Sequence, residues 1–338
     1  MSNEKKENKP KNTNWYKFIG TGVKDSFKGE FPDAPSWRQP SESKENIYKP
    51  DKEGKELEVV NASIYLKRPI LVTGDPGIGK SSLAYAIADE MGLELVKWEI
   101  STKTVLKDGL YSYDAIARLQ DASLVKEKGD IKNINEYLFL GALGYAFSES
   151  DDKTDKYYNK PKVLLIDEID KSDIDLPNDL LHIFEEMKFV IPELERVKEE
   201  TEEKEGISIK TAHNKEKSIK VKDGKVGLTN ANNFPIVIMT SNNDREFPPA
   251  FLRRCLSLEM EQPNTDRLIE IVEAHFKCTA SSDMKKIIKV FEDKIKDNNK
   301  LSVDQLLNAI QLLVKVKDDS TDILNDTSLQ DTIFRSLV

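Results

Sequence analysis

Four residues of the stretch Gly74-Asp75-Pro76-Gly77-Ile78-Gly79-Lys80-Ser81-Ser82 fall at the spacing G-x-x-x-x-G-K-[ST]. That spacing suits one task, the cradling of a phosphate chain. The glycines let backbone N–H groups curl around phosphate oxygens, Lys80 can reach the terminal phosphates, and the Ser81 hydroxyl can hold Mg2+. Farther on, Asp167 and Glu168 close the apolar run Val163-Leu164-Leu165-Ile166. An aspartate there helps hold Mg2+ beside Ser81, directly or through water, and a glutamate polarises the attacking water as a base. Asn242 follows another apolar run, Ile236-Val237-Ile238-Met239, and can hydrogen-bond that water or the terminal phosphate; Asn243, one residue on, competes for the role. Phe251-Leu252-Arg253-Arg254-Cys255 supplies two arginines. Arginine stabilises charge on a transferring phosphoryl group and is often supplied by a neighbouring subunit; the alternative is a pair of surface arginines held by acids.

These residues act together only if regular elements carry them. Ile70-Leu71-Val72 reads as a buried strand entering the loop, and Leu83 to Glu90 as a helix leaving it with its positive end toward the phosphates. Before the loop, 57–66 reads as a helix broken by Pro69; after it, Gly92 caps the helix and 93–100 forms a second strand. Val163 to Ile166 is a continuous apolar strand of the doubly covered, parallel-sheet kind. The material between is expected to hold a Gly-containing loop bracketed by 101–104 and 110–114, helices over 114–124 and 131–147, and a charged loop over 148–160. An amphipathic helix follows over 176–187 with Leu180, Leu181 and Phe184 in register, then a charged helix over 193–206. Ile207-Ser208-Ile209 and Ile219-Lys220-Val221-Lys222 alternate with period two, and Asp223-Gly224 is a hairpin-turn dipeptide returning through Lys225-Val226. After one more short strand at 256–260, only helices are read beyond Pro263: 265–276, 283–296, 301–315 and 328–337.

That switch from alternating strand and helix to helix alone sets the domain boundary. The expected fold class is α/β: a P-loop parallel sheet flanked by helices, followed by a small all-helical domain. The expected organisation is an N-terminal extension over 1–56, a nucleotide-binding domain over 57–263 with insertions at about 101–160 and 193–228, and a helical domain over 264–338. Within the extension, residues 1–14 are polar, whereas Trp15, Tyr16, Phe18, Phe27, Phe31 and Trp37 are aromatic among Gly and Pro. The aromatic part is expected to lie on the main domain, through packing or through contact with an adenine or a neighbouring subunit.

The whole composition narrows the classes. The 338-residue chain carries a formal charge of −9, which weighs against a dedicated nucleic-acid binder while leaving room for local basic patches. No apolar run approaches the roughly 20 residues of a membrane span, and the Lys-, Asn- and Glu-rich start lacks the apolar centre of a signal peptide, so a cytoplasmic protein is expected. Cys255 and Cys278 make neither a disulfide framework nor a metal quartet, and His182, His213 and His275 are too scattered for a metal site.

Together these motifs resemble the AAA+ ATPases and, more closely, their MoxR-like branch. The resemblance rests on Gly74 to Ser81, Asp167-Glu168, Asn242 and Arg253-Arg254. Two longer stretches sharpen it: Asp167-Glu168-Ile169-Asp170-Lys171-Ser172 running on to Glu185-Glu186, and Glu246-Phe247-Pro248-Pro249-Ala250-Phe251-Leu252-Arg253-Arg254. It covers about 59–263 strongly and the helical tail weakly. It implies a ring, commonly a hexamer, with ATP and Mg2+ between subunits and a helical lid. Arg254 would be the arginine finger with Arg253 beside it. It also implies insertions that engage a client, here Lys107 to Tyr113 and the locally basic Lys217, Lys220, Lys222 and Lys225, which otherwise read as an ordinary solvated hairpin. The family's sensor-2 arginine is missing; Lys300 stands near that place and lacks the bidentate fork. The implied activity is ATP-driven remodelling of a partner protein, such as a von Willebrand factor A-domain protein, in maturation or in bacterial conflict and defence. The rivals are a nucleic-acid-directed motor of the restriction-associated type and a nucleotide-dependent scaffold that scarcely turns over.

Overall fold

Strands that are apolar on both faces must lie between two layers, and the three inner strands of the main sheet, at 70–73, 163–167 and 236–241, are of that kind. In the computed structural model, the described residues are 31–38, 47–48, 54–124, 133–195, 206–214, 217–296, 301–315 and 333–334. The chain divides into two units, one of Tyr48–Asp75 and Gly79–Glu261, the other of the described parts of 1–47, 76–78 and 262–338.

The larger unit runs α1 (Lys55–Leu66), β1 (Ile70–Thr73), α2 (Lys80–Met91), β2 (Leu95–Glu99), α3 (Leu106–Leu110), β3 (Tyr111–Tyr113), α4 (Ala115–Leu124), β4 (Leu138–Leu140) and α5 (Ala142–Ala146). It continues through β5 (Val163–Asp167), α6 (Leu176–Glu186), β6 (Lys188–Val190), α7 (Pro192–Glu195), β7 (Ile207–Thr211), β8 (Ser218–Val221) and β9 (Lys225–Gly227). It ends with β10 (Ile236–Ser241), α8 (Pro249–Leu252) and β11 (Leu256–Glu259). Five parallel strands form the main sheet in the order β11-β1-β10-β5-β2. Because β10 lies between β1 and β5, the chain leaving β10 emerges between the phosphate loop and the Asp167-Glu168 pair. In open α/β sheets that carboxyl-end crevice is where ligands sit.

The segment 131–147, expected as one helix, is not one. Its described part is a 3₁₀ turn over Ile134–Tyr137, then β4, then the five-residue α5. Gly141 interrupts the run: a Cβ there would lie 2.4 Å from the Gly109 carbonyl oxygen. Leu138 and Leu140 bury in alternation while β4 pairs antiparallel with β3 and parallel with β7. The Gly-containing loop expected between 101–104 and 110–114 likewise becomes the helix α3, followed by β3. Together β3-β4-β7-β8 make a second sheet of four strands that shares one apolar core with the main sheet, Leu140 and Ile209 beside Leu164 and Val237.

Asp223-Gly224 does form a tight turn, with φ +55° and +68°, the double left-handed conformation of a type I′ hairpin. Its return strand, however, pairs with β6 and touches the outgoing one only through Lys222 and Lys225. Lys217 does not belong to an exposed basic cluster. Its ammonium sits 3.0 Å from Glu94, beside the edge strand of the main sheet, and 2.9 Å from Asp155 in the loop before β5.

The smaller unit holds a 3₁₀ turn at Ser36–Arg38 and α9 (Thr265–Phe276), α10 (Ser282–Lys296) and α11 (Val303–Lys315). Their apolar faces meet around Leu268, Ile288, Phe291, Leu306 and Ile310. Trp37, expected on the main domain, packs instead edge-on against His275 and Phe276 and donates to Asn308 at 3.4 Å. Trp15, Tyr16, Phe18, Phe27, Lys300, the stretch 196–205 and most of 328–337 lie outside the described residues.

Burial at the junction of the two sheets gives a pH signature. Lys162 donates to the Ser148 carbonyl at 2.7 Å over the Tyr145 ring, and burial lowers its pKa from 10.5 to about 8. The folded state loses this proton near pH 8 and the unfolded chain near 10.5. Between those values the unfolded state binds more protons, so this group makes stability rise with pH. Urea denaturation should show wild type gaining on the order of 2 kcal/mol relative to Lys162→Met between pH 8 and pH 10; parallel pH curves would contradict the assignment.

Candidate active site

The site is assembled from the carboxyl ends of β1, β5 and β10 and the amino end of α2. The loop before α2 needs glycine. Gly74, Gly77 and Gly79 have φ of +143°, +76° and +100°, and Gly79 caps the helix in the left-handed region. Ser82 N–H returns to the Gly79 carbonyl at 3.0 Å, closing the first turn of α2.

Lys80 is 7% exposed, and its ammonium has three acceptors for its three protons. It donates to the carbonyls of Gly74 at 2.7 Å and Asp75 at 2.8 Å, and to Asn242 Oδ1 at 2.8 Å. Burial lowers its pKa below the ordinary lysine value, against which the carboxylates of Asp170, Asp75, Asp167 and Glu168 pull the other way. Ser81 Oγ donates to Asp167 Oδ1 at 2.6 Å. The same oxygen accepts from Thr240 Oγ1 at 2.7 Å, and Thr240 Oγ1 in turn accepts the Glu168 N–H at 2.9 Å. Lys97 Nζ lies 3.6 Å from Asp167 Oδ2 and 2.9 Å from Glu99.

Glu168 holds a left-handed backbone, φ +61° and ψ +49°, and its carboxylate pairs with Lys171 at 2.7 Å. That bond raises the Lys171 pKa above its ordinary value. Asn242 rather than Asn243 carries the side chain that meets Lys80; Asn243 sits at φ +62° with its N–H on Ser241 Oγ at 3.0 Å. Arg254 donates from Nε to Glu185 on α6, and the Arg253 and Arg254 carbonyls accept from Arg68.

Four residues at the site have no role legible from sequence: Thr240, Asp170, Lys171 and Lys97. The available signal for Thr240 was a polar pair, Thr240-Ser241, finishing a strand buried along its whole length. The donor set fits a hydrated Mg2+ held by one hydroxyl and one carboxylate, the arrangement typical of sites completed by substrate phosphates. It fits no all-protein metal cage, since the described residues hold no group of three or more His, Cys, Asp or Glu that could bind an ion. No helix among them is long and apolar enough to cross a membrane.

Thr240 is 1% exposed and serves two partners. Thr240→Val leaves the part-buried Glu168 N–H and a buried Asp167 contact unmade and should lower the unfolding free energy by about 1–3 kcal/mol in urea. Thr240→Ser keeps the hydroxyl and should stay within about 1 kcal/mol; equal losses would show that the hydroxyl is idle.

Among curated proteins, a stretch of 50 residues is 48% identical to Midasin from Giardia intestinalis, covering 15% of this chain and 1% of that protein. The chain thus spans only a minute part of that relative's length. Among solved structures, a point mutant of Thermotoga maritima RuvB superposes with a TM-score of 0.40 at 14% identity, over 80% of this chain and 67% of that one. Residues 70–263, more than half of the chain and the span that carries every group of the site, match the family described as "ATPase family associated with various cellular activities (AAA)". The chain belongs to the AAA family of ATPases.

Proposed function

We propose that this chain is a MoxR-like AAA+ ATPase that hydrolyses ATP between the subunits of a ring, a hexamer, and uses the energy to remodel a partner protein. The observation that carries the hydrolytic part is the chain of contacts Asn242–Lys80 at 2.8 Å and Ser81–Asp167 at 2.6 Å, joining three strand ends at one crevice. In this reading Gly74 to Ser82 hold the triphosphate, with Lys80 on its terminal phosphates, and Ser81 and Asp167 hold Mg2+. When bound, Mg2+ neutralises charge on the phosphate oxygens. Glu168 accepts the proton of the attacking water, and to do so its carboxylate must leave Lys171. Asn242 orients that water, and Arg254, with Arg253 beside it, acts in the neighbouring subunit's site. Residues 57–263 form the nucleotide-binding domain, 264–338 the lid and 1–56 an extension.

The remodelling part rests on the resemblance of the motifs, as does a von Willebrand factor A-domain client in maturation or defence. The second sheet supplies the surface for it, since the two insertions meet there. The rival reading, a nucleic-acid-directed motor, is favoured by exposed Lys220, Lys222 and Lys225 on one hairpin. It is weakened by Lys217, which is committed to Glu94 and Asp155.

Glu168→Gln should lower phosphate release at least about 100-fold while retaining ATP; hydrolysis at the wild-type rate would refute the assignment of the base. With ATP present, the same variant should retain a protein client in a pull-down. Recovery of nucleic acid alone, with binding that falls steeply as salt rises, would favour the rival. Specific activity should also climb with protein concentration, because the arginine finger of each site comes from a neighbour; a flat profile down to dilute monomer would exclude the shared site.

A further inference from the structure

Two turns flank the site, and each supplies what the other's backbone lacks. The first, 168–173, carries Glu168; the second, 241–245, carries Asn242. From the first turn, Asp170 Oδ2 accepts the backbone N–H groups of Asn242 at 2.8 Å and Asp244 at 3.3 Å. From the second, the Arg245 guanidinium donates to carbonyls of the first. Its Nη1 reaches Ser172 O at 2.7 Å, and its Nη2 reaches Ile169 O and Asp173 O, each at 3.2 Å, and Ser172 Oγ at 2.9 Å. An acid of one turn closes the donors of the other, and a cation of the second closes the acceptors of the first.

We infer that Asp170 and Arg245 are positioning residues for ATP hydrolysis, a clasp that fixes the spacing between the Glu168 carboxylate and the Asn242 amide. This rests on the hydrolytic reading above. Three observations argue that the clasp serves more than stability. Asp170 is 6% exposed, and its Oδ1 is buried with no hydrogen-bond partner among the described residues. Such an oxygen costs free energy that an apolar residue would spare. Both turns hold a non-glycine residue in the left-handed region, Glu168 and Asn243, next to the groups that do chemistry. Backbone strain of that kind persists only where the surroundings over-determine it, and the clasp supplies those constraints. Finally, the Arg245 guanidinium lies 5.8 Å from the Phe247 ring, and Phe247 packs at 5.5 Å on Phe251. The clasp is therefore continuous with the segment that ends in Arg253-Arg254. Neither residue belongs to the loop proposed to grip the triphosphate, so loosening the clasp should misplace Glu168 and Asn242 without weakening the grip.

The test measures kcat, KM and nucleotide affinity on the full-length assembled protein. Asp170→Ala and Arg245→Ala should each lower kcat about 10- to 100-fold, the order expected when reacting groups are misplaced by an ångström, with KM for ATP and the dissociation constant of a fluorescent ATP analogue within about 3-fold of wild type. Asp170→Asn, whose amide oxygen can still accept both N–H groups, should recover most of the lost kcat. Hydrogen exchange at 242–244 should quicken in Asp170→Ala. If the alanine variants do not fold, Arg245→Lys keeps the charge, loses the fork and should still lose kcat. Unchanged kcat in the folded variants, or a loss of affinity as large as the loss of kcat, overturns the clasp. Wild-type protein that hydrolyses no ATP overturns the functional reading instead, and with it the catalytic role given to these residues.

Discussion

The constraint on which the rest depends is a lysine ammonium taken out of water. An unpaired charge in such a place is costly enough to unfold a domain or lose its proton. Lys80 escapes both because two carbonyls of its own loop and the amide oxygen of Asn242 converge on it. That convergence dictates the architecture. The loop must begin at the end of β1, turn through residues that tolerate positive φ, and end in a helix. The partner amide must come from the strand next to β1, and the counter-charges from the strand beyond it. A parallel sheet with β10 between β1 and β5 meets all three conditions.

Much of this was legible in the sequence because the deciding signals are local. The phosphate loop is a fixed spacing. The strands at 70–73, 163–167 and 236–241 are largely runs of Ile, Leu and Val. What was not legible depends on partners far along the chain. The region 131–147 has the composition of a helix, but β4 takes its partners from 111–113 and 210–211, so distant pairing overrides local preference. Lys217 looked solvated until Glu94, far upstream, came beside it. Thr240 and Asp170 are single polar residues whose meaning is the N–H or hydroxyl opposite them, and no spacing rule encodes that.

The second sheet also changes how the insertions should be regarded. They are not two appendages. Strands β3 and β4 come from one insertion and β7 and β8 from the other, joined by a parallel pairing, so each half alone is only a two-stranded pair. The Glu94–Lys217 pair then ties this composite to the end of the main sheet's edge strand, and Lys217–Asp155 ties it to the loop before β5. Any surface this sheet presents is a joint product of both insertions.

The backbone at Glu168 has one more consequence, for how this position tolerates change. Its φ of +61° is a conformation that asparagine, aspartate and glycine adopt readily and that β-branched side chains strongly resist. Under the proposed function the position is therefore filtered twice, by proton chemistry at the carboxylate and by steric allowance at the Cα. Under random mutagenesis it would shed valine, isoleucine and threonine as misfolded chains, while amide replacements would survive as folded but idle ones. A deep mutational scan scored separately for abundance and for turnover would show a split column at this residue, where its neighbour Asp167, with ordinary strand geometry, shows a single one.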